Sequence, residues 1–452
     1  MLKSRHLLLC LLLLLSGCGW LNDIIVSPPE TQEAFASNRD EGESCKSRNP
    51  FETGLDRALS AARLAQKAQS SRDWYLVTLY WMQAIEAMQG VNYDSPKRPF
   101  AQKKVQEYQN NLAIAQKRLM SLPEALPFAS FESDFLNEQL LLYLSYTAAV
   151  GKPDVLIVGS SRAIQGIDPR VLQTAIQNQG DRPLRIFNFG VNGATAQVVD
   201  LMIRELLTPA QLPSLIIWAD GARAFNSGRG DRTYQAISTS AGYQNLQGGQ
   251  YPFLGAELPP EDDANCQSSR GLSLSWRNSW EMPRAIAATL QDIDANGFLP
   301  VAEQFNPVTY YQQFPKVAGL YDGDYQNFNL WGEQTVAFKR LIAYTQAQNI
   351  PVVFVNLPLT EVYLDAARSR AEQQFRDFMQ FHAQQLNFEF VNFSTTATLQ
   401  NNAYFADPSH LNQQGAAAVA QALAVSPQIQ WSAIAKFPKT FSVPETESEV
   451  GL

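Results

Sequence analysis

The sequence predicts an α/β protein built on a parallel sheet, preceded by a small all-helical unit. Short apolar runs rich in β-branched residues alternate with amphipathic segments of helical period between residues 154 and 424. Strands that alternate with helices form right-handed βαβ units, and such units build a parallel sheet. Helical periodicity without strands fills residues 54–119 instead. With 45% hydrophobic and 17% charged residues among 452, the chain has the composition of a globular protein.

The first 17 residues have the pattern of an export signal. Lys3 and Arg5 precede an apolar run at residues 7–15, which is too short to span a bilayer. The following Leu-Ser-Gly-Cys resembles a bacterial lipobox, in which cleavage leaves Cys18 lipidated. An ordinary signal peptide with an accidental cysteine is the alternative. Because Gly19 rather than Asp follows Cys18, attachment to the outer membrane is favoured, on the periplasmic side of the cell envelope.

Few classes of partner or cofactor fit the composition. A pI near 5.1 without a basic face argues against nucleic-acid binding. Once the signal and the lipidated residue are set aside, only Cys45 and Cys266 remain. An exported protein could join them in a disulfide, but their spacing does not decide this. Zinc is disfavoured because so few ligands are available, and we predict neither a metal nor another cofactor.

Residues 18–50 are polar and irregular, which is typical of a tether. Residues 51–125 then predict a helical unit that loosely resembles a tetratricopeptide hairpin, although no second copy occurs at a fixed period. Aromatic residues at helical spacing, such as Trp74, Trp81 and Tyr108, favour a packed core over a binding groove. The sequence leaves open whether this unit binds a protein partner.

Residues 130–425 predict the α/β domain. Ser133 is a suitable N-cap for its first helix and Asn412 for its last. Residues 227–330 interrupt the βαβ rhythm and predict an insertion over the carboxyl edge of the sheet, where a lid or substrate-binding surface would lie. Residues 436–452 predict a disordered tail. The expected strands are 155–158, 184–189, 215–218, 352–356 and 388–391, with helices at 134–150, from 162, 169–178, 196–207, 280–292, 333–348, 364–385 and after 412.

The organising stretch is residues 154–166, in which a buried strand ends at a polar turn. An apolar run at 155–158 is followed by Gly159, Ser160 and Ser161 and then by a new helix. Open α/β sheets bind ligands at the carboxyl ends of their strands. Ser161 is therefore a candidate nucleophile, with the alternative that both serines only cap the helix.

A second polar turn lies near the end of the domain. Asp407 and His410 are two residues apart on a loop before a helix, so both side chains can point to one side of the turn. A carboxylate beside an imidazole can hold its tautomer and stabilise the cation formed when it accepts a hydroxyl proton. Of the other histidines, His6 belongs to the signal and His382 falls on an apolar helix stripe. His410 is therefore the candidate general base.

The order of these parts resembles the SGNH/GDSL hydrolase superfamily over residues 154–424. The resemblance is carried by Gly159-Ser160-Ser161, by the glycine block at 188–195 and by the Asp-x-x-His at 407–410. It implies a three-layer, flavodoxin-like parallel-sheet domain. Because it has Gly-Ser-Ser in place of Gly-Asp-Ser, the chain resembles most the branch of the superfamily that O-acetylates envelope polysaccharides. With its helical unit and lipobox, the chain also resembles uncharacterised cyanobacterial lipoproteins.

The resemblance further implies site roles, with Ser161 as nucleophile, His410 as base and Asp407 as its orienting acid. It also makes Gly193 a backbone donor to the oxyanion. The family's Gly-x-Asn-Asp block is absent after Trp218, so Asn226 is the expected second donor if its loop folds back. Asp220 cannot serve, because an ionised carboxylate repels an oxyanion.

Two functions of different class follow from the sequence. The first is an exported, lipid-anchored serine esterase or O-acyltransferase acting on acyl esters, acetyl above all, of envelope carbohydrate. The sequence leaves hydrolysis and transfer open, as it does the acyl group, the acceptor and the oligomeric state. The second is a catalytically inactive envelope scaffold that binds partners through the helical unit and the insertion. Nucleotide binding is disfavoured, because Gly159 and Gly166 do not form a Gly-x-Gly-x-x-Gly turn.

Overall fold

The structure is a computed structural model that describes residues 49–92, 94–122, 126–180, 184–254 and 293–434. The signal, Cys18, most of the tether, both other cysteines, the helix expected at 280–292 and the tail lie outside the described residues. Lipidation, the Cys45–Cys266 disulfide and the disordered tail therefore stay predictions. None of the helices in these ranges is both long enough and apolar enough to cross a bilayer.

The chain divides into two compact units, and the described residues of the first form three helices. The second helix begins with a capping box, in which the Ser70 hydroxyl accepts from the Asp73 N–H and the Asp73 carboxylate accepts from the Ser70 N–H. The rings of Trp81 and Tyr108 are buried 5.3 Å apart, which agrees with a packed core. The helices are α1 (Pro50–Ala65), α2 (Ser71–Gln89) and α3 (Arg98–Met120), the last of which runs on into the second unit.

The second unit is built on a five-stranded parallel sheet, so the predicted fold class is confirmed. The strand order is β2-β1-β3-β4-β5, the doubly wound order of flavodoxin-like folds, in which the winding direction changes between β1 and β3. The strands are β1 (Val155–Gly159), β2 (Ile186–Gly190), β3 (Leu215–Asp220), β4 (Val352–Asn356) and β5 (Glu389–Asn392).

Helices cover both faces of the sheet. On one face, Tyr143 of the helix before β1 packs on Phe187 and Phe189 of β2. On the same face, Phe338 packs on Trp218 of β3. Among the described residues of this unit, the helices are α4 (Asp134–Val150), α5 (Ser161–Gly166), α6 (Pro169–Gln177), α7 (Ala196–Leu201), α8 (Arg232–Ser238), α9 (Ala241–Gln247), α10 (Pro307–Gln313), α11 (Glu333–Ala347), α12 (Ala366–Leu386), α13 (Gln413–Ala424) and α14 (Trp431–Ile434).

The opposite face carries an aliphatic core. Ile157 and Ile217 lie in one buried cluster with Ile176 of α6 and Val419 of α13. Because both faces are covered, every residue of β1, β2, β3 and β4 is buried. This explains why the strands are continuous apolar runs rather than alternating patterns. The three predicted layers are therefore present.

The structure differs from the expected elements by small shifts of their ends, such as the start of β2 at Ile186, and in the following features. The helix predicted at 196–207 changes after Leu201 into a π-helical segment, Met202–Leu206. β3 runs two residues further than expected, to Asp220, whose carbonyl accepts from the Leu357 N–H. The insertion contains α8, α9 and α10, each capped by an Asp, Ser or Asn side chain. The caps expected at Ser133 and Asn412 are confirmed.

Candidate active site

The turn after β1 is closed so tightly that it requires glycine. Gly159 has φ +141°, and a Cβ there would lie 2.1 Å from the Ala219 carbonyl oxygen on β3. A Cβ at Gly190, the partner of Gly159 on β2, would lie 2.5 Å from the Ile164 nitrogen. The first close approach is between β1 and β3, and the second places α5 against the carboxyl end of β2.

The two serines after Gly159 have different roles. The Ser160 hydroxyl accepts from the Arg162 N–H (3.3 Å) and donates to Asp220 Oδ1 (2.9 Å), so Ser160 caps α5. Ser161 is not the cap. Its Oγ lies 2.8 Å from His410 Nε2. The capping interpretation therefore holds for Ser160 alone.

Asp407 and His410 lie together on the loop before α13. Asp407 Oδ2 is 2.7 Å from His410 Nδ1, while Oδ1 accepts from the N–H groups of Ser409 and His410. Burial raises the pKa of this carboxyl, but the hydrogen bond and charge of His410 and the two backbone N–H groups outweigh it and lower the pKa to about 2. The carboxylate is thus ionised at neutral pH.

The loop is fixed at both ends. An antiparallel bridge joins Phe405 to Leu411, and the Ala406 N–H donates to the His410 carbonyl. Asn412 then accepts from the Gln414 and Gly415 N–H groups at the start of α13. These contacts hold the side chains of residues 407 and 410 on one side of a rigid turn.

Gly193 lies at the same edge of the sheet. It follows Val191, whose N–H donates to the Gly159 carbonyl (2.9 Å), and has φ +75°. A Cβ at Gly193 would lie 2.6 Å from Thr233 Oγ1, so the position favours glycine for two reasons. Within the described ranges the backbone N–H groups of Ser161 and Gly193 donate to no acceptor.

Asn226 is not free to act as expected. Its amide nitrogen donates to the carbonyls of Asp324 and Gln326 (both 3.0 Å), and its oxygen accepts from the N–H groups of Gly228 and Asn329. Both N–H donors of the amide are therefore used. The prediction that Asn226 donates to an oxyanion is wrong, because this side chain closes the loop after β3 instead.

Asp220, to which the sequence gives no role in the site, lies directly behind the turn of residues 159–161. It is 1% exposed and accepts from the Ser160 N–H, the Ser160 hydroxyl and the Gly221 N–H. Burial raises its pKa to about 6, against the opposing charge of Arg162 and these hydrogen bonds. The feature of the sequence that could have indicated this role is the position of an acidic residue at the end of a buried strand.

The other described histidine packs in the core. His382 is 3% exposed, its ring lies 4.4 Å from that of Phe378, and burial lowers its pKa. This agrees with the sequence interpretation of a packed helix residue. Across the described parts of the chain, no group of three or more His, Cys, Asp or Glu side chains is arranged to hold a metal ion.

Comparisons with known proteins do not identify the chemistry of this site. No protein-family model matches the chain, and no curated protein is significantly similar to it. One similar solved structure is described as a "putative lipolytic protein of G-D-S-L family" from Desulfitobacterium hafniense DCB-2. It is 11% identical with a TM-score of 0.28, and the match covers 60% of this chain and 97% of that one.

Proposed function

We propose that this chain is a serine esterase or O-acyltransferase that works through an acyl-enzyme. The observation that carries the proposal is one line of hydrogen bonds, in which Ser161 Oγ lies 2.8 Å from His410 Nε2 and His410 Nδ1 lies 2.7 Å from Asp407 Oδ2. A serine hydroxyl is a weak nucleophile at neutral pH unless a neighbouring base accepts its proton. His410 is in position to do so.

In the proposed reaction Ser161 Oγ bonds to the ester carbonyl carbon while its proton passes to His410 Nε2. The N–H groups of Ser161 and Gly193 stabilise the oxyanion of the tetrahedral intermediate. Collapse of that intermediate breaks the ester C–O bond, and the leaving alcohol takes the proton from His410. Water or a sugar hydroxyl then attacks the acyl-Ser161 ester, which gives hydrolysis or transfer respectively.

The substrate class is part of the proposal. We infer acyl esters, acetyl above all, of envelope carbohydrate, on the strength of the Gly-Ser-Ser resemblance to the polysaccharide O-acetylation branch. The triad requires no cofactor in this mechanism. A protein partner for the helical unit stays a proposal without a described contact behind it.

The test is labelling of the purified protein by a fluorophosphonate, followed by peptide mapping and assay of small acetyl esters. We expect the label on Ser161 of the wild type. Ser161→Ala should lose both labelling and turnover, whereas the control His382→Phe should keep both. Adding a sugar acceptor then separates transfer from hydrolysis. An unlabelled and inactive but folded wild-type protein would favour the scaffold alternative.

We also propose that the protein is exported and anchored by lipid at Cys18. This proposal rests on the short apolar run that ends in Leu-Ser-Gly-Cys. Bacterial lipoproteins carry more than one acyl chain, which suffices for stable attachment. Cys18→Ala should leave an unprocessed or released form, measured by mass spectrometry and membrane fractionation. Normal processing and retention of that variant would rule out the anchor.

A further inference from the structure

The residue after the nucleophile is a buried arginine whose side chain crosses to a different loop. Arg162 is 3% exposed, and its Nη2 donates to the carbonyls of Leu357 (2.5 Å) and Pro358 (3.1 Å). These two residues begin the loop that follows β4. One side chain therefore ties the turn that carries Ser161 to this loop.

The same loop holds the turn that carries the base. Thr360 is fully buried, and both its N–H (3.2 Å) and its hydroxyl (2.8 Å) donate to the Pro408 carbonyl. Pro408 lies between Asp407 and His410 in the chain. Buried hydrogen bonds, together with the backbone of residues 357–360, thus connect the turn that carries Ser161 to the turn of His410.

Gly221 makes room for this arrangement. A Cβ at that position would lie 1.7 Å from Arg162 Nη1, although φ there is −162°, an extended conformation that any residue adopts. It is therefore the guanidinium, rather than the backbone, that requires glycine at this position. The space beside β3 is shaped to admit the arginine.

Stability alone does not account for a buried arginine here. Arg162 Nε and Nη1 have no hydrogen-bond partner among the described residues. A buried, incompletely paired polar group costs free energy, and well-packed apolar residues often replace buried charges without loss of stability. What the guanidinium adds is geometry, because a planar fork can hold two successive carbonyls at fixed positions.

We propose that Arg162 is a positioning residue that sets the approach of His410 Nε2 to Ser161 Oγ by holding the loop after β4. The proposal rests on the proposed function, since it concerns the same nucleophile and base. Arg162 contacts no reacting atom and acts through Thr360 and Pro408. A small displacement of the base relative to the nucleophile lowers the rate steeply, by about 10²-fold for a shift of about 1 Å.

The test is Arg162→Lys, which keeps the positive charge near Asp220 and Glu372 but lacks the fork. We expect kcat for a small acetyl ester to fall about 10- to 100-fold with KM unchanged. Thr360→Val, which removes the hydroxyl donor to Pro408, should lower kcat in the same way. The double variant should lose little more than either single variant, because both act on one path.

The matched control is Arg185→Lys. Arg185 also donates to a backbone carbonyl, that of Val150 (2.6 Å), and is paired with Asp154 at the amino end of the sheet. Its kcat should equal that of the wild type. All variants are first shown to be folded by thermal unfolding. If Arg162→Lys keeps wild-type kcat, or raises only KM, the proposal is overturned.

A second measurement decides the proposal without turnover. The ¹⁵N signal of His410 Nε2 reports its hydrogen bond to Ser161, and Ser161→Ala defines the signal when that bond is absent. Arg162→Lys should move the signal towards the Ser161→Ala value, while Arg185→Lys and the internal reference His382 should not change. An inactive wild type would contradict the proposed function, whereas an unmoved His410 signal in Arg162→Lys would contradict the positioning role.

Discussion

Two carboxylates at the same edge of the sheet have opposite electrostatic environments. Asp407 is about one-third exposed and lies against an imidazole and two backbone N–H groups, and its pKa is about 2. Asp220 is almost fully buried, and its pKa is raised to about 6 although it accepts three hydrogen bonds. Burial opposes ionisation in both, but only at Asp407 do the partners outweigh it.

The comparison separates two tasks that a polar residue can perform beside a nucleophile. Asp407 orients the imidazole and stabilises its cation in the proposed reaction, which requires a carboxylate that is charged at all working pH values. Asp220 instead holds the backbone and hydroxyl of Ser160, and thereby the turn itself. The first task belongs to the chemistry and the second to the architecture, although the residue type is the same.

The largest effect is expected where the proposed chemistry is removed. Ser161→Ala and His410→Ala should each lower kcat for a small acetyl ester by about 10⁴-fold or more, and the double variant should be little worse, because the members of a triad act as a unit. Steady-state kinetics on folded variants measures this. Independent, multiplicative losses would show that the two residues do not work together.

Isosteric changes of the two carboxylates sharpen the comparison directly. Asp407→Asn should lower kcat by up to about 10⁴-fold, because an amide favours the wrong tautomer of His410. Asp220→Asn should lower kcat by no more than about 10-fold, since its contacts lie behind the nucleophile. Equal losses in the two variants, measured at pH 7 with thermal unfolding as the control, would erase the distinction.

The contributions of the two carboxylates to the free energy of unfolding should change with pH in opposite directions. Asp220, with its raised pKa, contributes stability below pH 4 that is lost as the pH rises through about 6. Asp407, with its lowered pKa, contributes stability above pH 4 that is lost as the pH falls towards 2. Urea unfolding gives the free energy of unfolding of the wild type and of Asp220→Asn at pH 4 and at pH 7. The difference between the two proteins should change by on the order of 2 kcal/mol between these pH values. If the free energy of unfolding changed with pH in the same way in both proteins, the raised pKa of Asp220 would be contradicted.

The smallest effect on activity is expected at Asn226. Asn226→Ala should lower the free energy of unfolding by about 1–3 kcal/mol, because it leaves the carbonyls of Asp324 and Gln326 without their donor. The kcat of the folded variant should change by less than about 10-fold, against the 10²-fold or more that loss of an oxyanion donor costs. A loss of that larger size with unchanged stability would restore the oxyanion role.

The fold could be predicted because its signals are local. Apolar runs covered on both faces mark the strands, and Ser133 and Asn412 mark helix starts by capping chemistry. The turn of residues 407–410 was also local, since two residues of separation suffice to bring an acid and a base together. The catalytic roles of Ser161, His410, Asp407 and Gly193 stay predictions, although His410 lies within hydrogen-bonding distance of both Ser161 and Asp407.

The rest could not be predicted because it depends on contacts between distant segments. Asn226 was chosen for its residue type, but its partners at Asp324 and Gln326 lie about a hundred positions away. Asp220 and Arg162 have roles that arise only when β3 and the loop after β4 lie beside the nucleophile turn. Helices α8 to α10 are too short for periodicity to reveal them.

Ser161 and His410, the proposed nucleophile and base, are separated by 249 positions along the chain. Ser161 follows the first strand of the sheet, whereas His410 comes after the last one, so the contact between them joins the two ends of the domain. Contacts of such long range form slowly and late in folding. During refolding, reactivity of Ser161 should therefore lag behind the recovery of helical structure, and an unfinished or truncated chain would carry an inert serine.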